Sequence, residues 1–412
     1  LIDKYRTGDY YSSCQAKVVL ILSIVANFAI LFFYKYYNWL GGCLTEWMQK
    51  AGVDMTVPRF DILLPVGISF YIFQALGYSI DVYRKNVEVE RNFFRYALFV
   101  SYFPQLVAGP IERSTNLLRQ FHEKKVPNYD NLMQGLNLML WGYFMKLVVA
   151  DRCAMYVDAI FNNAAHHTGG SFAVASVMFT IQIYGDFAGY TYIAIGCAKV
   201  MGFHLHDNFH RPYFAATITE FWHRWHISLS SWLRDYVYFP LGGSRTSKAK
   251  AYRNILITFL VSGIWHGANW TFLCWGLMYF VLLVIEKLTG WEKKYPDKMI
   301  VLRRIYTLFF VLMGWVLFRA DSITEAWAYI CTMFGNGTLI NDSTIYYAMN
   351  YFVYFLIAIL VSTPIFKNFS LKIKGTNPVA YVVSSVGLLA LLVVSVSYIV
   401  KGAYNPFIYF NF

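Results

Sequence analysis

The chain has 412 residues, of which 58% are hydrophobic, 19% aromatic and only 14% charged. In soluble domains about a quarter of the residues are charged. The core of a soluble protein of this length could not bury so much apolar surface. The composition therefore excludes an ordinary soluble protein. It predicts an all-α polytopic membrane protein in contact with lipid, with aromatic side chains concentrated at the two membrane interfaces.

The net charge of +12 does not indicate a nucleic-acid partner, because the basic residues lie in short clusters between apolar runs. That distribution is typical of the positive-inside rule. The six cysteines are scattered without CxxC or Cys/His spacing, so neither a disulfide framework nor a metal site is predicted. The sequence opens on Leu1 without a signal peptide, and we expect further N-terminal spans to precede it.

Nine apolar runs are long enough to enter or cross a hydrocarbon core of about 30 Å. They lie at 18–35, 61–80, 93–108, 132–150, 171–201, 254–286, 301–318, 346–364 and 379–400. Proline and glycine interrupt the third run and glycine the fifth, at Pro104, Gly109, Pro110, Gly185, Gly189 and Gly196. Broken helices at membrane depth are tolerated where they are buried or line a wet cavity. With no internal repeat, we expect residues 1–412 to form one membrane domain that contains a cavity.

The distribution of charge in the loops predicts the orientation. Lysine and arginine cluster at 84–95, 113–125, 245–253, 287–304 and 367–374. The segments 151–172 and 319–348 contain one arginine each and no lysine. By the positive-inside rule the basic loops are cytoplasmic and these two segments face outward. The final span then places the tail 401–412 on the outer face.

The run 254–286 has basic residues on both flanks, so it should enter and leave on the cytoplasmic side, with a turn near 267–269. His266 comes thirteen residues after Arg253, a rise of about 20 Å in a helix, which places its side chain deep in the membrane. An ionisable group there is a functional candidate by default. Desolvation favours the neutral imidazole, which can act as a general base. A structural histidine bonded to a helix carbonyl is the alternative.

The segment 220–235 (EFWHRWHISLSSWLRD) is amphipathic if helical, and it contains three tryptophans. His223 and His226 would then share one face. No third ligand at matching spacing accompanies them, so a metal site is not predicted. The segment would either line the mouth of a cavity or serve as an interfacial anchor with snorkelling arginines.

Two further acidic residues lie within or just after apolar runs. Asp186 would pair with a cation or cap the helix after the glycine break, and a structural or a functional role fits it equally. Glu112 follows Pro110, where helix capping and loop charge account for it. The basic loop 245–253 would meet the phosphates of a nucleotide-bearing donor, although the positive-inside rule explains it as well.

Several segments together resemble the membrane-bound O-acyltransferase (MBOAT) family, most closely its bacterial alginate and polysaccharide O-acetyltransferase (AlgI-type) branch. They are 64–70 (LPVGISF), 75–84 (ALGYSIDVYR), 103–111 (FPQLVAGPI), 186–190 (DFAGY), 221–230 (FWHRWHISLS) and 265–268 (WHGA). The resemblance covers nearly the whole chain. It implies an MBOAT fold of about ten or more transmembrane and re-entrant helices around a central tunnel.

In this family pattern His266 matches the catalytic position and His226 the second histidine. The resemblance implies donor-binding or tunnel roles for residues near them, for which the candidates are Trp265, Asn254, Trp222, Arg234 and Asp186. It also implies a cytoplasmic acetyl-CoA or other acyl thioester as donor and no permanently bound cofactor. An extracellular polysaccharide acceptor and an SGNH-type partner are expected, at the bacterial cytoplasmic membrane.

The tail ends in 407–412 (FIYFNF), which an interfacial aromatic anchor would explain. It resembles an F-x-Y-x-x-F motif of polysaccharide-modifying MBOAT proteins and of a small partner in D-alanyl transfer. By that resemblance Tyr409 is a candidate acyl relay.

Other functions remain open from the sequence. D-alanyl transfer to teichoic acid shares the architecture but takes its thioester from a carrier protein. Lipid or protein acylation fits the motifs less well. A proton-coupled transporter with His266 and Asp186 in its path belongs to a different class. A non-catalytic scaffold for the partner is the remaining alternative.

Overall fold

A computed structural model describes residues 2–5, 14–61, 64–107, 109–291, 299–335, 338–362, 378–401 and 407. All regular elements in these ranges are helical. We number the longer and site-forming helices α1 (Cys14–Lys50), α2 (Ile68–Tyr83), α3 (Phe93–Ser101), α4 (Tyr129–Phe161), α5 (Gly169–Val200), α6 (Ile218–Arg224), α7 (Ile227–Leu233), α8 (Lys248–His266), α9 (Trp270–Thr289), α10 (Ile300–Arg319), α11 (Ile323–Met333), α12 (Asp342–Ser362) and α13 (Pro378–Val400). Shorter helical segments lie at Ile2–Tyr5, Phe103–Leu106, Ser114–Leu118, Ala164–His166, Pro212–Phe214 and Arg234–Tyr238.

Each of the nine predicted apolar runs overlaps at least one helix, and the third and the sixth each overlap two. Five helices of the described ranges, α1, α4, α5, α9 and α10, are long and apolar enough to cross a membrane. The predicted all-α polytopic membrane class is therefore confirmed. The predicted break in the third run is also confirmed, because α3 ends at Ser101 and residues 110–113 are not helical.

The fifth run is not broken, contrary to the prediction from its glycines. Helix α5 continues without interruption for 32 residues. Its glycines allow close approach to α4 instead: a Cβ added at Gly189 would lie 2.8 Å from the carbonyl oxygen of Gly142. A glycine costs a helix only about 1 kcal/mol, which packing of this kind can offset. Because the helix does not break, the predicted capping role of Asp186 is also wrong.

The largest buried cluster is aromatic and lies where α5, α6, α9 and α10 meet. Trp225 packs on Trp315 with ring centroids 4.9 Å apart, and Trp222 packs on Tyr279 at the same separation. Two widened π-helical turns interrupt long helices nearby, Phe32–Tyr36 in α1 and Phe144–Ala150 in α4. Such turns are frequent at functional sites, and here each contains a lysine.

Candidate functional site

The segment 220–235 is two short helices, α6 and α7, rather than the single helix we predicted. Trp225 and His226 separate them, and His226 has φ 44° and ψ 54°. This is the left-handed region, which costs energy for a residue with a Cβ atom. His226 is fully buried whereas His223 is exposed. The common face predicted for these two histidines is therefore wrong.

Asn208 stabilises this break from a distant loop. Its carbonyl oxygen accepts from the Ile227 N–H at 2.9 Å, and its side-chain oxygen accepts from the Ser228 hydroxyl at 2.9 Å. The Ser228 hydroxyl oxygen in turn accepts from the Ile111 N–H at 3.0 Å. These bonds offset the backbone strain at His226, since strained residues persist only where the surroundings fix them.

The His226 imidazole lies among aromatic rings. The Phe187 ring contacts it edge-on with centroids 4.6 Å apart, and Trp265 lies at 5.8 Å. Neither ring nitrogen has a hydrogen-bond partner among the described residues. Buried polar atoms without partners are rare, and at a strained residue they are typical of a functional position.

His266 is the last residue of α8, at the tip of a helical hairpin with α9. The predicted turn is confirmed at residues 267–269, and the Asn269 side chain caps α9 by accepting from the Thr271 N–H at 3.1 Å. The His266 imidazole is buried between Trp275 and Phe318, with ring centroids 5.1 and 5.2 Å away. Trp265 lies 5.0 Å from it, so one indole contacts both histidines.

The π-helical turn of α1 contacts the end of α8 directly. The Lys35 ammonium donates hydrogen bonds to the carbonyl oxygens of Trp265 and His266, at 2.8 and 2.9 Å. The Tyr36 hydroxyl donates to the carbonyl of Ile264 at 2.6 Å. The last carbonyls of a helix lack partners within it and carry partial negative charge, so a cation is well matched to this position.

A cavity of about 470 Å³, which we call the basic-side cavity, lies beside the base of the α8–α9 hairpin, where its lining includes Leu283 and Lys287 near the end of α9. Its lining includes Trp222, His223, Arg234 and Lys287 and no carboxylate. Its lining residues from α8 are Ile255, Thr258, Phe259 and Ser262. The predicted tunnel residues Trp222 and Arg234 therefore share one cavity.

A second cavity of about 650 Å³, the acidic-side cavity, lies at the other end of the hairpin, where it is lined by Ala268 and Asn269. It is also lined by Asp186, whose carboxylate pairs with Lys146 of α4 at 2.8 Å. Lys146 pairs equally closely with Asp151. Of the two roles predicted for Asp186, the structure has the cation pair.

A small third cavity of about 80 Å³ is lined by Lys35, Trp265, His266 and Phe407. Phe407 is fully buried, with ring centroids 4.5 Å from Tyr190 and 5.8 Å from Phe187. Phe407 therefore lies within the aromatic surroundings of both histidines. Tyr409, two positions later, lies outside the described residues.

A family model, MBOAT, the membrane-bound O-acyltransferase family, matches residues 84–324, which is more than half of the chain. The chain belongs to the MBOAT family. The match includes both buried histidines, the α8–α9 hairpin and the ion cluster of Lys146.

Named relatives of this MBOAT protein act on different polymers. It is 39% identical to the probable alginate O-acetylase AlgI of Azotobacter vinelandii, over 77% of this chain and 63% of that protein. It is 35% identical to the protein of that name from Pseudomonas putida, over 95% of this chain and 84% of the relative. It is 32% identical to the peptidoglycan O-acetyltransferase of Helicobacter pylori, over 95% of this chain and 82% of that protein.

The other predicted residues of this MBOAT protein lie apart from one another. Asn254 is fully buried but lines none of the three cavities; its side-chain amide donates to the carbonyls of Leu241 and Gly243 at 3.0 Å. It therefore fixes the turn before α8. Glu112 is buried and accepts from the backbone and the ring of His206, at 2.6 and 2.9 Å, instead of capping a helix.

Three residues at the site were not predicted from the sequence. Lys35 and Lys146 each lie within an apolar run, and a lysine at membrane depth is itself a signal that could have found them. Asn208 lies in a polar loop 18 positions before His226, and nothing in that loop indicates its contact.

Proposed function

We propose that this chain transfers an acetyl or similar small acyl group across a membrane, from a cytoplasmic thioester to a cell-surface polysaccharide or peptidoglycan. The position of the two histidines carries this conclusion. They lie buried around one indole, with one cavity beside the base of the α8–α9 hairpin and another at its tip, where α8 ends in His266. A donor and an acceptor can then approach the same group from opposite sides.

The basic-side cavity suits the donor, because its charged lining residues are cationic and phosphates of coenzyme A are anionic. Acetyl-CoA is the donor we favour. By the positive-inside rule this side is cytoplasmic, in the bacterial cytoplasmic membrane, and the acidic-side cavity and the tail face outward.

In the mechanism that we propose, His266 acts as the general base and Tyr409 as the acyl relay. His266 takes the proton of the Tyr409 hydroxyl while its oxygen attacks the thioester carbonyl. The carbon–sulfur bond breaks, the thiolate receives the proton, and the acyl group remains as an aryl ester. An acceptor hydroxyl, from the glycan or from a serine of an SGNH-type partner, then takes the acyl group and returns a proton to the phenolate.

The buried position of Phe407 supports the relay. It lines the cavity that contains His266, and two residues of extended chain span about 7 Å. We therefore propose that this short tether lets the Tyr409 hydroxyl reach the imidazole. Phenolate is a weaker base than an alkoxide and leaves more readily, so an aryl ester is a competent acyl donor.

The experiment uses the full chain in nanodiscs with radiolabelled acetyl-CoA, quenched in acid, and measures label on the protein. We expect label on the wild type and none on His266→Ala or Tyr409→Phe. Tyr404→Phe, in the same tail, and His166→Ala, at an exposed histidine, are the matched controls and should label normally.

Two results would change the proposal. Label from a carrier-bound D-alanyl thioester, without label from acetyl-CoA, would indicate D-alanyl transfer to teichoic acid. Absence of label and of thiol release with every thioester would contradict acyl transfer altogether.

A further inference from the structure

The acidic-side cavity contains buried polar atoms that the protein itself leaves without partners. Gln182 and Thr271 both line it and are 8% and 1% exposed. The side-chain oxygen of each has no hydrogen-bond partner among the described residues. Because native proteins satisfy nearly all buried polar atoms, two such oxygens lining one cavity indicate a ligand that brings its own hydroxyl groups.

The charged residues of the lining are mostly engaged in ion pairs. Lys146 lies 2.8 Å from Asp151 and from Asp186, and all three side chains are nearly fully buried. Arg319 pairs with Asp158 at 3.2 Å and also donates to Asn162. These cations are therefore held by carboxylates of the protein.

The net charge of the lining limits what can bind. Four aspartates and three basic residues contribute, so the formal net charge is −1. An anionic sugar such as a uronate would meet a lining of the same net sign, and this repulsion opposes its binding. An uncharged sugar meets no such barrier, and its hydroxyls can donate to carboxylate and amide oxygens.

The cavity also extends to the immediate surroundings of His266. Phe272 and Phe318 line it, and their rings lie 6.5 and 5.2 Å from the His266 imidazole. Lys35 lines both this cavity and the small one that contains His266. A ligand in the cavity is thus one aromatic ring away from the imidazole.

We infer that the acidic-side cavity is a binding site for an uncharged, polyhydroxylated sugar unit, with Gln182 and Thr271 as its hydrogen-bonding residues. Gln182 accepts a hydrogen bond from one sugar hydroxyl, and the Thr271 hydroxyl pairs with a second. The inference rests on the proposed function and deepens it: the acceptor is a neutral glycan bound by this chain, rather than a polyuronate or a partner protein.

The test separates donor chemistry from acceptor binding. Full chain in nanodiscs receives radiolabelled acetyl-CoA and either the neutral tetrasaccharide of N-acetylglucosamine or a tetramannuronate of equal length. Thiol release reports the donor step, and label on the sugar reports transfer. The variants are Gln182→Leu and Thr271→Val. Thr180→Val is the matched control: Thr180 is buried on the same helix as Gln182, donates to the Ser176 carbonyl and lines none of the three cavities.

We expect label on the neutral sugar at least about tenfold above that on the uronate. Each site variant should raise KM for the neutral sugar about tenfold, the loss typical of one hydrogen bond. The single-turnover burst of thiol, which is released before the acceptor reacts, should be unchanged. The control should match the wild type in both readouts.

Equal labelling of tetramannuronate would overturn the charge selectivity, and an unchanged KM in both site variants would overturn the assignment of the two residues. An SGNH-type protein can be added to the same assay. If thiol release is normal and label appears on that protein but on neither sugar, the acceptor is a protein and not a glycan. Absence of thiol release in the wild type would instead mean that the proposed function itself is wrong.

Discussion

The Lys35 ammonium lies 2.9 Å from the backbone carbonyl oxygen of His266, although the two residues are 231 positions apart in the sequence. This bond, with its neighbour to Trp265, joins the first long helix to the tip of the α8–α9 hairpin. The position of the His266 imidazole therefore depends on a helix outside the segment matched by the family model.

Lys35→Met should destabilise the protein by about 2 kcal/mol, because it removes two hydrogen bonds from a charged donor and leaves carbonyls unsatisfied. Acyl labelling should fall about tenfold or more through displacement of His266. Thermal unfolding in detergent and the labelling assay measure the two effects. Lys17→Met, at an exposed lysine of the same helix, is the control. Wild-type labelling by Lys35→Met would contradict a positioning role.

The strain at His226 can be measured with two substitutions that both remove the imidazole. The free energy of unfolding of His226→Gly should exceed that of His226→Ala by about 1 kcal/mol, since glycine adopts positive φ without cost. The two variants leave nearly the same void, so the difference reports the backbone. Equal stability, or a more stable alanine variant, would mean that the left-handed conformation is not maintained in the protein.

The contact of α4 with α5 should not tolerate a methyl group. A Cβ at Gly142 would lie 2.5 Å from the carbonyl oxygen of Gly189, so Gly142→Ala should destabilise the protein by about 2 kcal/mol. Gly387→Ala in α13 is the matched control, because nothing lies within 4 Å of its added Cβ. There the higher helix propensity of alanine should leave stability unchanged or raise it. Similar melting temperatures for both variants would argue against the close approach.

The pair of His206 and Glu112, in loops outside the spanning helices, should make stability depend on pH. The hydrogen bond to the Glu112 carboxylate raises the pKa of His206, and burial only partly opposes this. A raised pKa in the folded state stabilises it fully below the unfolded pKa of about 6.5, and the contribution is lost as pH rises through the folded value. His206→Gln should therefore lower the melting temperature more at pH 5.5 than at pH 8.5.

His204→Gln is the control for that measurement, because it changes a nearby exposed histidine of the same loop. At pH 5.5 its effect on the melting temperature should be smaller than that of His206→Gln. A destabilisation by His206→Gln that does not vary with pH would mean that the imidazolium form contributes nothing to the pair.

The sequence by itself determined the class of the protein and the helical hairpin that has His266 at its tip. Apolar runs, basic loops and the Gly-Ala-Asn segment at 267–269 are local features of the sequence. They predicted the helix positions and the turn because burial in lipid acts on each run separately. Local reading failed at the glycines of α5 and at 220–235, where packing against another helix or loop overrides propensity.

Only the tertiary structure decided which polar groups meet. The left-handed His226 is held by Asn208, the end of α8 by Lys35, and Asp186 by Lys146, across separations of 18, 231 and 40 positions. The two lysines were visible in the sequence as charges in apolar runs, but their partners were not. A sequence pattern records which groups cannot remain alone in a membrane, whereas the folded chain determines the neighbour that satisfies each of them.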